Sequence, residues 1–241
     1  MFLTFDNFRK RLELGVVSHF INKNEFEEKC RYALESGVGV ICVDPIYVKL
    51  AKSIIGERDV DLSSNVGFPS GSHLTKVKTL EAEEAVKDGA NQIDMVMNIG
   101  ALRSGDYDDV LNDIKAVVKV APNCIIKVII EAWVLNHIEK VMACKLIEEA
   151  GAHLLKTTTG LANKYVTEFA QKKNLKGATI EDIKLFRKIL SPKMRIKAAG
   201  GVRTIDDAFK MIKAGADQLG ASKSMDLVNE FKNRYGEGIE I

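Results

Sequence analysis

Four short apolar segments of the sequence have the composition of buried β-strands, yet each contains a charged side chain. The charged residues, each with its segment, are Asp94 in QIDMVMN, Lys127 in KVIIE, Lys156 in HLLK and Lys197 in RIKAAGG. An isolated buried charge is costly, so each must be paired, lie at the rim of the fold or face a polar interior. One lysine at a strand end often just reaches solvent, whereas two lysines and an aspartate together indicate a site.

Lys156 and Lys197 lie on consecutive predicted strands, the sixth and the seventh. Neighbouring strands are about 4.8 Å apart, and two ammonium groups about 5 Å apart repel by roughly 3 kcal/mol at an effective dielectric constant near 20. Such repulsion lowers the pKa of one lysine by about two units. The partly neutral lysine can attack a carbonyl to form a Schiff base, while Asp94 transfers protons. These three residues suffice for class I aldolase chemistry without a metal.

Lys127 and Glu131 bracket the fifth predicted strand and share one of its faces, because side chains alternate along a strand. We interpret them as an ion pair that holds the interior of the fold, in preference to a catalytic pair. By the same alternation, Asp94, Val96 and Asn98 share a face, and we expect it to point inward.

Two glycine-containing segments, AAGGVRTIDDA and LGASKS, follow the seventh and eighth predicted strands. Gly200 and Gly201 permit close approach of the backbone to a ligand, and Thr204 is a candidate helix cap. In α/β barrels these two loops commonly bind phosphate at helix N-termini. Arg203 adds charge to the first loop or is only a surface residue. The candidate phosphate contacts in these loops are Gly200, Gly201, Arg203, Gly220, Ser222 and Lys223.

The elements that position these residues alternate between short apolar segments and longer amphipathic ones. The predicted strands are 14–17, 38–43, 61–68, 92–98, 124–131, 153–157, 194–199 and 216–220. The predicted helices are 24–35, 47–55, 73–87, 107–120, 134–150, 180–190, 204–213 and 225–235. Eight such units in 241 residues predict a (β/α)8 TIM barrel, in one domain spanning residues 1–241.

An open Rossmann sheet is the alternative, but the sequence lacks GxGxxG after its first strand. The segment from Gly100 to Gly105 has the spacing of a P-loop without its lysine, and we interpret it as a loop.

Composition excludes several other classes of protein. The chain carries 35 basic and 33 acidic residues, a net charge of +2, which argues against a nucleic-acid partner. It has neither a membrane-length apolar segment nor a recognisable signal peptide. Its scattered cysteines indicate reduced thiols and a cytoplasmic protein. The four histidines, His19, His73, His137 and His153, show no metal-binding spacing, so we expect no metal and no cofactor.

The sequence resembles the deoxyribose-phosphate aldolases from about Asn24 to Ser222. The segments that carry the resemblance include VICVDPIYVKLAK, NVGFPSG, QIDMVMNIGALRSGDYDDV, LLKTTTG and IKAAGGVRTIDDA. The resemblance implies a (β/α)8 enzyme, often a dimer or tetramer, that reversibly cleaves 2-deoxyribose 5-phosphate to glyceraldehyde 3-phosphate and acetaldehyde.

The same resemblance implies roles for individual residues. Lys156 matches the lysine that forms the Schiff base, Lys197 the second lysine that lowers its pKa, and Asp94 the acid/base aspartate. The positions that match phosphate loops are Gly160, Gly200, Gly201, Gly220 and Ser222.

The chain also departs from the family pattern. On the first strand the family usually has Asp-His-Thr, whereas Ser18, His19 and Phe20 are expected there in this chain. Lys223 stands where the last phosphate loop commonly has Ser or Gly, and the terminal tyrosine of some members is replaced by Ile241. Two alternatives therefore stay open: a related Schiff-base aldolase for another phosphorylated aldol, and a non-catalytic barrel that binds a phosphorylated ligand or a protein partner.

Overall fold

Eight parallel strands close into a barrel in the computed structural model, which describes residues 1–18, 20–160 and 177–241. The predicted (β/α)8 architecture is confirmed, and His19 lies outside the described residues. Around the barrel, consecutive strands are hydrogen-bonded neighbours, and the last pairs with the first. These strands are β2 (Leu12–Val16), β3 (Val40–Val43), β4 (Asp61–Val66), β5 (Gln92–Val96), β6 (Ile125–Ile129), β7 (Leu154–Lys156), β8 (Arg195–Ala199) and β9 (Gln218–Gly220).

Helices surround the barrel, and each of the eight predicted helices is present within three residues of its predicted ends. The helices among the described residues are α1 (Phe5–Lys10), α2 (Lys23–Glu35), α3 (Val48–Ile55), α4 (Thr75–Lys87), α5 (Ile99–Ser104), α6 (Tyr107–Val120), α7 (His137–Glu149), α8 (Ile180–Ile189), α9 (Ile205–Ala214) and α10 (Ser224–Tyr235). Short 3₁₀ turns occupy Pro45–Tyr47 and Ala132–Val134. No helix within the described ranges is both long and apolar enough to cross a membrane.

The prediction of a loop between Gly100 and Gly105 is wrong, because α5 occupies this segment. The Asn98 side chain accepts a hydrogen bond of 3.1 Å from the backbone N–H of Ala101 and caps the helix. Gly105, with φ 84°, adopts the left-handed conformation that ends it. The glycine-rich segment is therefore a capped single helix of six residues that leads into α6.

The two ends of the chain form a small sheet that the sequence did not predict. Strands β1 (Phe2–Thr4) and β10 (Gly238–Glu240) pair antiparallel. Beneath them, Phe8 of α1 stacks on Phe231 of α10 with ring centroids 4.6 Å apart. Since α1 leads into the N-terminal end of β2, this sheet lies at the end of the barrel away from the carboxyl ends of its strands.

A buried ion pair joins α4 to α6 outside the barrel. The Lys78 ammonium lies 2.6 Å from Asp113 Oδ2 and donates to the carbonyl of Val96 at 3.0 Å. Replacing Asp113 by alanine leaves this buried ammonium without its counter-charge, so we expect the free energy of unfolding to fall by about 3–5 kcal/mol. Urea denaturation measures this loss.

The matched control is the exposed pair between Lys87 and Glu84, separated by 3.4 Å. Removing the Lys87 charge is expected to change the free energy of unfolding by less than about 1 kcal/mol. Equal effects at the two sites would contradict the role given to the buried pair.

Candidate active site

The charged residues predicted on the strands meet inside the barrel. Lys156 on β7 is in register with Lys197 on β8, and Asp94 on β5 is in register with Lys127 on β6. The ammonium nitrogens of Lys156 and Lys197 lie 2.5 and 3.0 Å from the same oxygen, Oδ2 of Asp94. A single carboxylate oxygen therefore contacts both lysines of the predicted pair, so a proton can pass between them through Asp94.

Lys127 belongs to this cluster, and its predicted pairing with Glu131 is wrong. Its ammonium lies 2.6 Å from Glu13 Oε2 and 2.8 Å from Asp94 Oδ1. Strand β6 ends at Ile129, and Glu131 then adopts the left-handed conformation with φ 46°. The Glu131 carboxylate instead accepts hydrogen bonds from the Trp133 indole and the Thr159 backbone.

Glu13 is a site residue that the sequence reasoning missed. It lies on β2, is buried, and binds Lys197 as well as Lys127. The predicted strand began at Leu14, which placed Glu13 in the preceding connection. The available signal was alternation, because Glu13, Gly15 and Val17 are spaced by two residues and all line the same cavity.

The cluster holds three ammonium groups against two carboxylates, an excess of one positive charge. Burial, together with the charges of Lys127 and Lys156, lowers the pKa of Lys197 to about 8. Burial also disfavours charged Lys156, but the adjacent Asp94 carboxylate outweighs it and raises the Lys156 pKa well above its ordinary value. Although buried, Glu13 and Asp94 have lowered pKa values because the lysines stabilise their charged forms.

The lysine with the lowered pKa in the resting site is therefore Lys197. This differs from the resemblance, which implied a lowered pKa for Lys156. The reason is the 2.5 Å contact with Asp94, which the sequence did not reveal. When Lys197 loses its proton near pH 8, the cluster becomes electrically neutral. The neutral Lys197 can then accept a proton from Lys156 through the shared oxygen of Asp94.

Glu13, Cys42 and Asp94 place potential metal-ligating atoms within 4.8 Å of one another. The ammonium groups of Lys127 and Lys197 already bind both carboxylates. Burial raises the pKa of the Cys42 thiol to about 12, which keeps it protonated and a poor ligand. This donor set suits lysine ammonium groups better than a divalent cation.

A cavity of about 380 Å³ opens above the cluster and contains most of the predicted site. Lys156 and Lys197 lie at its base, whereas Asp94 is buried beneath it. The predicted phosphate residues that line it are Gly160, Gly200, Gly201, Arg203, Gly220 and Ser222. Lys223 is exposed at the start of α10 and is not among the residues lining the cavity.

The two predicted phosphate loops differ in how many backbone N–H groups are free to bind an anion. At α9 the Asp207 carboxylate accepts from the backbone N–H groups of Arg203 and Thr204, while Thr204 caps the helix as predicted. The N-terminus of α9 is therefore satisfied by its own side chains. At α10, Lys223 is the cap residue and makes no side-chain capping bond to the described residues. An anion consequently has better access to the backbone donors around Ser222.

The predicted departure at Ser18 and Phe20 is misplaced, because β2 ends at Val16 before both residues. Phe20 is 93% exposed, and neither residue is among those lining the cavity. On β2 itself, Glu13 is the acidic residue that faces the cavity, and Gly15 faces it two positions later. This is the spacing of Asp and Thr in the Asp-His-Thr pattern. The chain therefore departs from that pattern by a longer carboxylate at Glu13 and by the loss of a side chain at Gly15.

Comparisons with known proteins agree with this geometry. The profile of DeoC/LacD family aldolases matches residues 10–226. A deoxyribose-phosphate aldolase from Thermococcus gammatolerans is 44% identical over 218 residues, which cover 89% of this chain and 92% of the relative.

Two solved structures have the same fold. The aldolase QR15 superposes with a TM-score of 0.85 at 34% identity and covers 95% of this chain and 97% of its own. The tetrameric deoxyribose phosphate aldolase from Aeropyrum pernix gives 0.82 at 25% identity, with 95% and 92% covered. Because the family profile spans most of the chain, this protein belongs to the DeoC/LacD family of aldolases.

Proposed function

We propose that the enzyme reversibly cleaves 2-deoxyribose 5-phosphate to glyceraldehyde 3-phosphate and acetaldehyde through a Schiff base on Lys156. The observation that carries this proposal is that Lys156 and Lys197 both contact one carboxylate oxygen of Asp94, at the base of a cavity that glycine loops also line. The names of the relatives support this choice of substrate among phosphorylated aldols.

Lys156 is the nucleophile in this proposal, because its side chain is 7% exposed while that of Lys197 is 1% exposed. Asp94 takes the proton of Lys156, and Lys197, neutral above pH 8, receives it through the shared oxygen. The neutral amine of Lys156 then adds to the aldehyde carbon of the open-chain sugar. Loss of water gives the protonated Schiff base.

The protonated Schiff base withdraws electrons from the neighbouring carbon–carbon bond and so allows that bond to break. A base removes the proton of the C3 hydroxyl, the C2–C3 bond breaks, and its electron pair passes to the imine as an enamine. Glyceraldehyde 3-phosphate leaves with the new carbonyl. Asp94, which contacts the nitrogen of Lys156, is placed to return a proton to the enamine carbon. Hydrolysis of the resulting imine releases acetaldehyde and regenerates Lys156.

The phosphate lies on the side of β8 and β9 in this proposal. Gly200 and Gly201, with φ 83° and 91°, hold conformations that favour glycine and expose backbone there. Arg203 adds a positive charge at the rim, and Ser222 adds a hydroxyl beside the start of α10. Two charge-assisted hydrogen bonds of this kind are worth about 3 kcal/mol, or roughly 100-fold in kcat/KM.

The experiment that tests this function is a substrate panel monitored by coupled detection of the aldehyde products. We expect kcat/KM for 2-deoxyribose 5-phosphate to exceed that for unphosphorylated 2-deoxyribose by about 100-fold. Other phosphorylated aldols form the second arm, because Glu13 and Gly15 reshape the sugar end of the cavity. Preference for one of them would reassign the substrate, and turnover of none would favour the non-catalytic barrel.

We also propose that the enzyme is a cytoplasmic homo-oligomer. The tetrameric Aeropyrum pernix relative supports a homo-oligomer, a dimer or a tetramer, built from one domain of residues 1–241. The four cysteines are buried free thiols, which suits a reducing cytoplasm. The expected partner is the phosphorylated sugar itself, without nucleic acid or membrane.

A further inference from the structure

One polar side chain in the cavity has no role in the mechanism above. Asn65 on β4 is 1% exposed, lines the cavity, and is the one residue with an amide side chain among the described residues that do so. It is in register with Asp94 on the next strand, so its side chain lies beside the acid/base group. Burying an amide against a cavity is costly unless its hydrogen bonds are used.

Two hydrogen bonds fix the orientation of this amide. The Cys42 thiol donates to Asn65 Oδ1 at 3.4 Å, and Asn65 Nδ2 donates to Asp44 Oδ1 at 3.2 Å. Neither partner contacts Lys156 within the part of the chain that the structure describes. One N–H of the amide and one lone pair of its oxygen therefore stay available to a ligand, since no further bond joins them to the described residues.

Asn65 belongs to the wall that faces Lys156 across the barrel. In the closed eight-stranded order, β3 lies four strands from β7, and Cys42 on β3 is in register with Gly15 on β2. Gly15 has no side chain to fill the space, and a Cβ placed there would first meet Val17 at 3.7 Å. The wall opposite the nucleophile thus has open space at Gly15 and a fixed amide at Asn65.

A Schiff base formed on Lys156 extends into the cavity that this wall lines. Its second carbon lies two bonds from Nζ, and Asp94 must reach it to move its proton. On β4, Ser63 donates to Asp94 Oδ1 at 2.7 Å but does not line the cavity, whereas Asn65, in register with Asp94, does. A substituent on the second carbon therefore meets Asn65. A methyl group gains little there, whereas a hydroxyl can both donate to and accept from the amide.

We propose that this site also takes a donor aldehyde with a hydroxyl on its second carbon, so that the enzyme joins glycolaldehyde to glyceraldehyde 3-phosphate. The inference rests on the proposed function. Lys156 condenses with glycolaldehyde and releases water, and the second carbon loses a proton to give the enamine. That carbon bonds to the aldehyde carbon of glyceraldehyde 3-phosphate, whose oxygen takes a proton. Water then releases an aldopentose 5-phosphate, and the same steps in reverse cleave that sugar.

The test compares three donors at equal concentration with glyceraldehyde 3-phosphate as acceptor. Acetaldehyde reports the proposed function, glycolaldehyde carries the hydroxyl, and propanal has its shape without the hydroxyl. We expect the wild-type enzyme to use glycolaldehyde about 5- to 10-fold better than propanal, as one hydrogen bond allows. We expect Asn65→Val to lower the glycolaldehyde-to-acetaldehyde rate ratio by a similar factor.

Ser64→Ala is the matched control, because Ser64 is the preceding residue of β4, is buried, and is not among the residues lining the cavity. The glycolaldehyde-to-acetaldehyde rate ratio of Ser64→Ala is expected to equal that of the wild type. Propanal used as well as glycolaldehyde by the wild type would overturn the inference even if Asn65→Val does not fold. An unchanged ratio in folded Asn65→Val would overturn it too. Loss of the acetaldehyde reaction in the wild type would instead overturn the proposed function.

Discussion

Replacing Lys156 by alanine is expected to lower the cleavage rate for 2-deoxyribose 5-phosphate by at least about 10⁴-fold. The reason is chemical, because the covalent intermediate has no other accessible amine. Lys197 lies at the same level of the barrel, but its side chain is 1% exposed and its ammonium binds Glu13 and Asp94. Lys127 is completely buried below them.

The measurement is single-turnover product formation at pH 8, with Lys87→Ala as the control for removal of an exposed lysine. The control is expected to retain the wild-type rate. The folded state of Lys156→Ala is verified from its melting temperature. Cleavage at a wild-type rate in this variant would remove the Schiff-base mechanism from consideration.

Replacing Lys197 by leucine is expected to slow cleavage at pH 7 by about 10²- to 10³-fold and to move the acid limb of kcat/KM to higher pH. In the wild-type enzyme the group with a pKa of about 8 is Lys197, so activity should rise with pH up to that value. Without Lys197 the cluster holds two ammonium groups and two carboxylates. No excess proton is then lost near pH 8, and Lys156 keeps its proton through the contact with Asp94.

The melting temperature of Lys197→Leu distinguishes a loss of proton transfer from a loss of folded structure. A lysine whose folded pKa is depressed destabilises the folded protein below that pKa, and the penalty disappears as pH rises toward its ordinary value. Removal of the Lys197 charge is therefore expected to leave the melting temperature at pH 7 equal or higher. An unchanged pH profile in Lys197→Leu, measured by initial rates from pH 6 to 10, would rule out its role in proton transfer.

The barrel was predictable because each strand and helix shows its own local period. Strands such as β3 are buried on both faces and contain continuous apolar runs, while helices such as α6 repeat apolar residues at helical spacing. The sheet of β1 and β10 was not predictable in the same way. Each strand has three residues, and their pairing joins Phe2 to Glu240, at opposite ends of the chain.

The site was predictable as a set of residue types but not as a set of pairs. A lysine on a strand indicates that a counter-charge exists, whereas its identity depends on strand order and register. The partners of Lys127 are Asp94 on β5 and Glu13 on β2, the latter 114 positions away, and not Glu131, which follows its own strand. Similarly, the sequence predicts that one lysine of the pair has a lowered pKa, but not which one. The assignment to Lys197 depends on the distances to Asp94, because the nitrogen of Lys156 lies closer to that carboxylate.

The most direct test of the central claim is borohydride reduction in the presence of 2-deoxyribose 5-phosphate, followed by peptide mass mapping. Reduction converts a Schiff base into a stable secondary amine that marks the lysine. We predict one adduct, on Lys156, formed faster as pH rises toward 8. An adduct on Lys197 instead, or no adduct in folded protein that turns over this sugar, would contradict the mechanism.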